Sequence, residues 1–295
     1  MSGSGGSCMG EALSERLPES RQEAERAGER LVREHRFTIV VVFPLVGAAT
    51  LLASAEGLLP APLEFNPYLV LFGTLVMRLP LIVAIAPLVD RRASLVLAGL
   101  AGYSWLIELV GVYTGWPYGE FTYLIELGPM LLGEVPLGLP LFFLPLALNA
   151  YLLTLLILGP AADSWLVRVP AAAAAVVAID LVLDPGAVAI GFWAFADGGL
   201  YYGVPASNYA GWVLSGTVAV LGFDYAFRRT EIHRRLAECE FALDDLVSFV
   251  LLWGLINAVY GNWIPVAVAA GFAIGLARSN RLDLSVWKTA SLPGR

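Results

Sequence analysis

The chain has 295 residues, 58% of them hydrophobic and only 15% charged, with a mean hydropathy of +0.73. That composition excludes an ordinary soluble domain and directs attention to apolar runs of bilayer length, about 20 residues for a hydrocarbon core of about 30 Å. A formal net charge of -7, with no basic face to offset it, excludes a nucleic-acid partner.

Residues 1–36 read as a charged N-terminal arm that lacks the short apolar core of a signal peptide. Within it, Glu11 to Arg36 is expected to be a solvated segment, helical or irregular. Eight apolar runs follow, at 37–56, 66–89, 93–113, 138–159, 164–184, 207–228, 242–260 and 262–278. The last two are parted only by a tight turn around Gly261. The expected fold is all-α, a polytopic membrane bundle of about eight transmembrane helices, with a transmembrane domain over 37–278 and a cytoplasmic tail over 279–295. A cytoplasmic hinge over 229–241 interrupts the bundle. The two cysteines, Cys8 and Cys239, fall on the reducing side and predict no disulfide.

The cations set the topology. Arg36, Arg91, Arg92, Arg168, Arg228, Arg229, Arg234, Arg235 and Arg278 all fall at one end of successive runs, whereas the connections 57–65, 114–137 and 185–206 contain neither lysine nor arginine. The positive-inside rule then places both termini in the cytoplasm of a multi-pass cell-membrane protein. Arg78, inside the second run, is the exception.

The most informative segment lies near the middle. An alanine-rich run leads into Asp180 to Pro185 (DLVLDP), so two carboxylates are expected to end a hydrophobic helix. Asp180 and Asp184 are one turn apart on one face, close enough to share a proton. At about 1.5 Å of rise per residue, Asp180 lies about 6 Å and Glu108 about 7 Å below the outer surface, a common level. Arg78 lies roughly 18 Å deep and is expected to reach toward them by its long stem, as a partial counter-charge. Asp224, with Arg228 one turn later, reads as a plain i,i+4 pair. Ionisable groups inside a membrane are costly and mark function by default. Two outer connections, Gly115 to Tyr123 (GWPYGEFTY) and Gly198 to Pro205 (GGLYYGVP), are rich in glycine and aromatics and are expected to fold back over the bundle as a roof.

Absences narrow the chemistry. Both histidines, His35 and His233, sit at the cytoplasmic edge, so no histidine cluster can hold iron for oxygen chemistry. No G-x-G-x-x-G follows a strand, and the single lysine, Lys288, lies in the tail, out of reach of a retinal Schiff base. D-x-x-x-D also occurs in membrane prenyltransferases. There the acids hold magnesium and a diphosphate beside basic residues, and this motif faces the side without any. What remains is acid–base chemistry on a lipid-soluble substrate, with water as the second reactant and no metal or organic cofactor.

Glu108 to Gly119 (ELVGVYTGWPYG), Leu127 to Pro129 (LGP), Val135 to Pro140 (VPLGLP), Asp180 to Pro185, Tyr201 to Pro205 (YYGVP), Asn208, Gly211 and Trp212 together resemble a membrane carotenoid hydratase family. The resemblance covers roughly Arg78 to Asp224. It implies addition of water to terminal double bonds of an acyclic carotenoid, and makes other enzymes of carotenoid biosynthesis natural partners. Residue roles come from the physical reading. A carboxylic acid in an apolar setting can hold a proton and deliver it to an alkene. Asp180 or Asp184 is the first choice of donor and Glu108 the next, with a second carboxylate taking the proton of the attacking water. Arg78, Tyr118, Trp193, Tyr201, Tyr202, Asn208 and Trp212 are expected to contact the substrate, the faces of Trp193, Tyr201 and Tyr202 steadying a cation and Asn208 placing the water. Two rivals are an end-group cyclase, whose product has unchanged mass, and a carotenoid carrier that leaves its pigment unaltered.

Overall fold

A computed structural model describes residues 20–282. Cys8, Arg16, Lys288, Arg295 and most of the expected arm and tail lie outside the described residues. The chain runs through α1 (Arg21–Glu34), a π turn (Thr38–Val42), α2 (Phe43–Ala55), α3 (Pro67–Ile85) and α4 (Arg91–Thr114). The short strands β1 (Phe121–Tyr123), β2 (Met130–Leu131) and β3 (Val135–Pro136) come next, then α5 (Leu139–Leu158), α6 (Trp165–Ala189) and β4 (Trp193–Phe195). Helices α7 (Ala206–Ala226), α8 (Arg229–Glu238), α9 (Asp244–Val259) and α10 (Trp263–Arg278) complete it.

All eight apolar runs are helical, and five of the helical segments are long and apolar enough to cross a bilayer: Thr38–Ala55, Pro67–Leu88, Arg91–Thr114, Leu139–Asp163 and Trp165–Ala189. A sixth is counted if α7 and α8, bent by 91° at their junction, are taken together. α9 and α10, at 16 residues each, rise about 24 Å, less than a full hydrocarbon core.

Polar side chains mark where these helices begin. Asn66 Oδ1 accepts from the backbone N–H of Tyr68 and Leu69 with Pro67 in the first turn, and Asp90 Oδ1 accepts from Ala93 N at 2.8 Å. Such caps contribute about 1 kcal/mol each. α5 is the central helix, packed against α3, α4, α6, α7 and α9, with Tyr151 and Leu152 fully buried. Outward-facing large apolar residues, Phe72, Leu95, Leu106, Leu166 and Val213 among them, are exposed, as expected of surfaces solvated by lipid rather than water.

The arginine-rich junctions gather at one end. Arg21 donates to Ala86 O and Val89 O, Arg229 to Asp163 O, and Arg235 to Glu29 and Ala84 O. α1 is therefore docked rather than solvated as the sequence led one to expect. Ser20 caps it, Val32 is fully buried, and its Arg21, Glu29 and Gly28 face α3 and α8. The cation-free connections gather at the opposite end, where β1 pairs antiparallel with β4 in the register Phe121↔Phe195, Thr122↔Ala194 and Tyr123↔Trp193. The end of the first aromatic connection is thus joined to Trp193–Phe195, which precede the Gly198 to Pro205 segment expected to share the roof.

Candidate active site

α6 carries the aspartates, but it does not stop at them. It continues through Pro185 to Ala189, correcting the expected end at residue 184. Proline has no N–H to offer the carbonyl four residues back, which is that of Leu181. Tyr201 supplies the missing donor, its hydroxyl reaching Leu181 O at 3.1 Å. Asn257 Nδ2 from α9 adds a donor to Val182 O at 2.8 Å. Asp180 and Asp184 are consequently held inside a continuous helix, at 0% and 3% exposure, and not on its frayed end.

Asn208, in the first turn of α7, ties the pair together. Its amide donates to Asp180 Oδ2 at 3.0 Å and also to Asp184 Oδ2. Asp180 Oδ1 is buried without a hydrogen-bond partner. Glu108 of α4 accepts from the hydroxyl of Tyr123 in β1. Burial first, and then the Glu108 charge, push the Tyr123 phenol well above its ordinary range, so it stays protonated and available as a donor. Because Tyr123 pairs with Trp193 across the β1–β4 ladder, their rings meet edge to face at 6.2 Å. The roof therefore delivers one hydrogen bond to the carboxyl beneath it.

Asp184, Glu108 and Asn208 line one cavity of about 430 Å³, together with Tyr118, Tyr123, Trp193 and Trp212. That is within the usual range for small-molecule sites. Tyr118 shares a 2.7 Å hydrogen bond with Ser215, and its ring lies so close to α7 that a Cβ on Gly211 would stand 2.4 Å from it. A glycine is needed there for the ring to reach the cavity. Trp212 is steadied by Phe143 at 5.8 Å.

The remaining expected residues lie elsewhere. Tyr201 and Tyr202 are absent from the cavity wall. Tyr201 stands edge to face with Tyr202 at 5.1 Å and Tyr209 at 5.6 Å, and burial pushes its phenol up to about 12. Tyr202 accepts from Ile264 N at 3.3 Å. Asp180 backs the cavity instead of facing it. Arg78 does line the cavity, but its guanidinium pairs with Asp245 and not with Glu108. Its Nη1 meets Asp245 Oδ1 at 2.5 Å, and Asn149 Nδ2 holds the other oxygen of Asp245 at 2.6 Å. The expected reach toward the acid layer is thus corrected, since a full counter-charge sits closer in the first turn of α9. Asp224 likewise pairs with Arg168, at 2.7 Å to each oxygen, and with Tyr151, while Arg228 turns to Glu231 at 3.7 Å. A fully buried guanidinium on the neighbouring helix offers two hydrogen bonds where the one-turn neighbour offers none.

Two residues of consequence escaped the sequence reading. Tyr123 sat inside a quoted motif but looked like any interfacial ring; the signal was its alternation with Phe121, matching Trp193 and Phe195 of β4. Asp245 looked like the polar start of an apolar run. Among the described residues no three His, Cys, Asp or Glu side chains gather as a metal-binding group.

Fold and cavity together define a helical membrane protein that buries acid–base groups under an aromatic roof. The family described as carotenoid biosynthesis protein matches residues 65–276, and the chain belongs to that family. A curated relative from Haloarcula japonica, bisanhydrobacterioruberin hydratase, is 63% identical over 273 residues, covering 92% of this chain and 93% of its own. The chain is an enzyme of the same class, a hydro-lyase of carotenoid biosynthesis. No solved structure matches it.

Proposed function

We propose that the chain adds water to the terminal double bonds of an acyclic carotenoid, converting bisanhydrobacterioruberin to bacterioruberin without a cofactor. The observation that carries this reading is the placement of two carboxyl groups with different partners, Asp184 and Glu108, in the wall of one otherwise apolar cavity. Neighbouring carboxyls of an Asp180–Asp184 pair cannot both ionise freely and share a proton. Asp184, the member facing the cavity, gives that proton to the less substituted alkene carbon. A tertiary carbocation forms. The faces of Trp193 and Trp212 steady it, each by about 2 kcal/mol where desolvated. Water attacks the cation and loses a proton to Glu108, which Tyr123 holds in place and keeps as an acceptor. Return of that proton to Asp184 resets the site, and the net change is one water added per end. Asn208, donating to both aspartates, fixes the geometry of the pair and places it against the alkene.

In the same reading the cation-free end faces the outside, both termini are cytoplasmic, and α9 and α10 cross as a short pair, giving eight spans. The even count and the gathering of arginines at one end support it. Expression in a host that makes the unhydrated acyclic carotenoid tests the function. Pigment carrying one additional water at each end is the expected product. An isomer of unchanged mass would point to a cyclase, and unaltered pigment bound to the protein would point to a carrier.

A further inference from the structure

A hydrocarbon substrate dissolved in the bilayer has its most direct route to Asp184 and Glu108 from the side. The β1–β4 ladder and the Tyr123 hydroxyl cover one end of the cavity. Toward the other lies Arg78, which lines the cavity and is tied to Asp245 and, through it, to Asn149. Around the walls, the lining residues of α4, α5, α6, α7 and α9 are buried or partly buried: Ile107, Phe143, Asp184, Asn208 and Trp253 stand for the five. The exposed lining residues are Val46 (58%), Leu63 (45%), Leu69 (48%) and Phe72 (57%). All four belong to one hairpin, α2, its connection and α3.

We propose that the gap between α2 and α3 is a lateral portal through which one end of the carotenoid passes from the lipid into the cavity, the rest of the polyene staying in the bilayer. The inference rests on the proposed hydratase reading and adds to it a route and a residue that controls it. Gly73 of α3 lines the cavity, and no heavy atom lies within 4 Å of where its Cβ would stand. It is six residues from the loop end of its helix, about 9 Å, and Glu108 is six residues from the corresponding end of α4, at the same depth. The gap therefore opens at the level of the acids. Gly47 of α2 also lines the cavity, backed by Leu252 of α9, and the Phe43 and Phe72 rings bridge the two helices at 6.2 Å. Small residues between helices normally bring backbones together; here Gly73 leaves open space instead. Gly73 is thus a specificity-determining position for a long flexible polyene. A portal of this kind with one acid site behind it handles one end at a time, so the singly hydrated carotenoid is released between the two additions.

The test uses the full chain in membranes with the unhydrated carotenoid. Gly73→Trp is expected to lower conversion at least tenfold, with the singly hydrated pigment accumulating. Gly271→Trp on α10, equally open but remote from the cavity, is expected to convert as wild type does. A second arm replaces Phe43 and Phe72 by cysteine and joins them with a reversible thiol cross-linker. Conversion is expected to fall on cross-linking and to return on reduction. Wild-type conversion by Gly73→Trp, or by the cross-linked pair, would overturn the portal while leaving the hydratase reading intact. No added water in wild type and Gly271→Trp alike would instead overturn the reading on which the portal rests.

Discussion

Two groups of buried acids divide this molecule. Toward the arginine-bearing end, Asp224, Asp244 and Asp245 each meet a guanidinium, from Arg168, Arg36 and Arg78, at distances of 2.5–2.7 Å. Toward the cation-free end, Asp180, Asp184 and Glu108 have an amide and a phenol for partners and face or back a cavity. All six are carboxyl side chains held wholly or largely inside the protein. A carboxylate locked to arginine is held ionised by a fixed counter-charge and has no proton to give; it fixes helix against helix. A carboxyl partnered only by neutral donors keeps a proton to give or a lone pair to accept one. On the proposed reading, that difference divides acids that serve architecture from acids that serve chemistry.

Several substitutions can break or sharpen that division. The largest effect is expected from Asp184→Asn, which keeps the shape and the Asn208 neighbour but removes the acid. Hydration should fall by about 10²–10⁴-fold, the usual contribution of a positioned general acid, with the protein level in the membrane unchanged. Asp245→Ala should do the reverse. It strands Arg78 without its counter-charge at a cost of about 3–5 kcal/mol, so the protein should be lost from membranes or melt earlier, as a thermal-shift assay in detergent would read. Tyr123→Phe removes one hydrogen bond to Glu108, worth about 1.5–3 kcal/mol when the acceptor is charged. Hydration per folded molecule should drop roughly tenfold or more, beyond what any fall in melting temperature accounts for. Tyr201→Phe is the smallest. It leaves Leu181 O without the donor that replaces Pro185's absent N–H, a loss of about 1 kcal/mol in stability, and conversion per folded molecule should be unchanged.

Much of this was readable from the chain, and the limits have physical causes. Apolar runs interrupted by arginine clusters gave the helices, because burial of backbone groups in lipid leaves the chain few alternatives. Asp180 and Asp184 on one face followed from helical spacing, whereas the strand that joins the first aromatic connection, Trp193–Phe195, lies just before the second segment that composition had singled out. The pairing of acids with cations was not readable. Arg78 chose Asp245, 167 positions away, and Asp224 chose Arg168 over its one-turn neighbour, because contact in a bundle depends on which helices adjoin. The end of α6 was misplaced at Pro185 for a similar reason. Local sequence says that proline breaks the ladder, while the repair comes from Tyr201, 20 residues on. The docking of α1 rests on Arg21 reaching Ala86 O just past α3 and on Glu29 meeting Arg235 of α8, contacts that a charge count reads as solvation.

The division between the two acid groups is tested most directly by the pigment made with Asp184→Asn beside that made with Asp224→Asn, each in a host supplying the unhydrated carotenoid and each normalised to protein in the membrane. Unhydrated pigment from Asp184→Asn and doubly hydrated pigment from Asp224→Asn is the predicted pair of results. Doubly hydrated pigment from Asp184→Asn would contradict the assignment of the cation-free acids to chemistry.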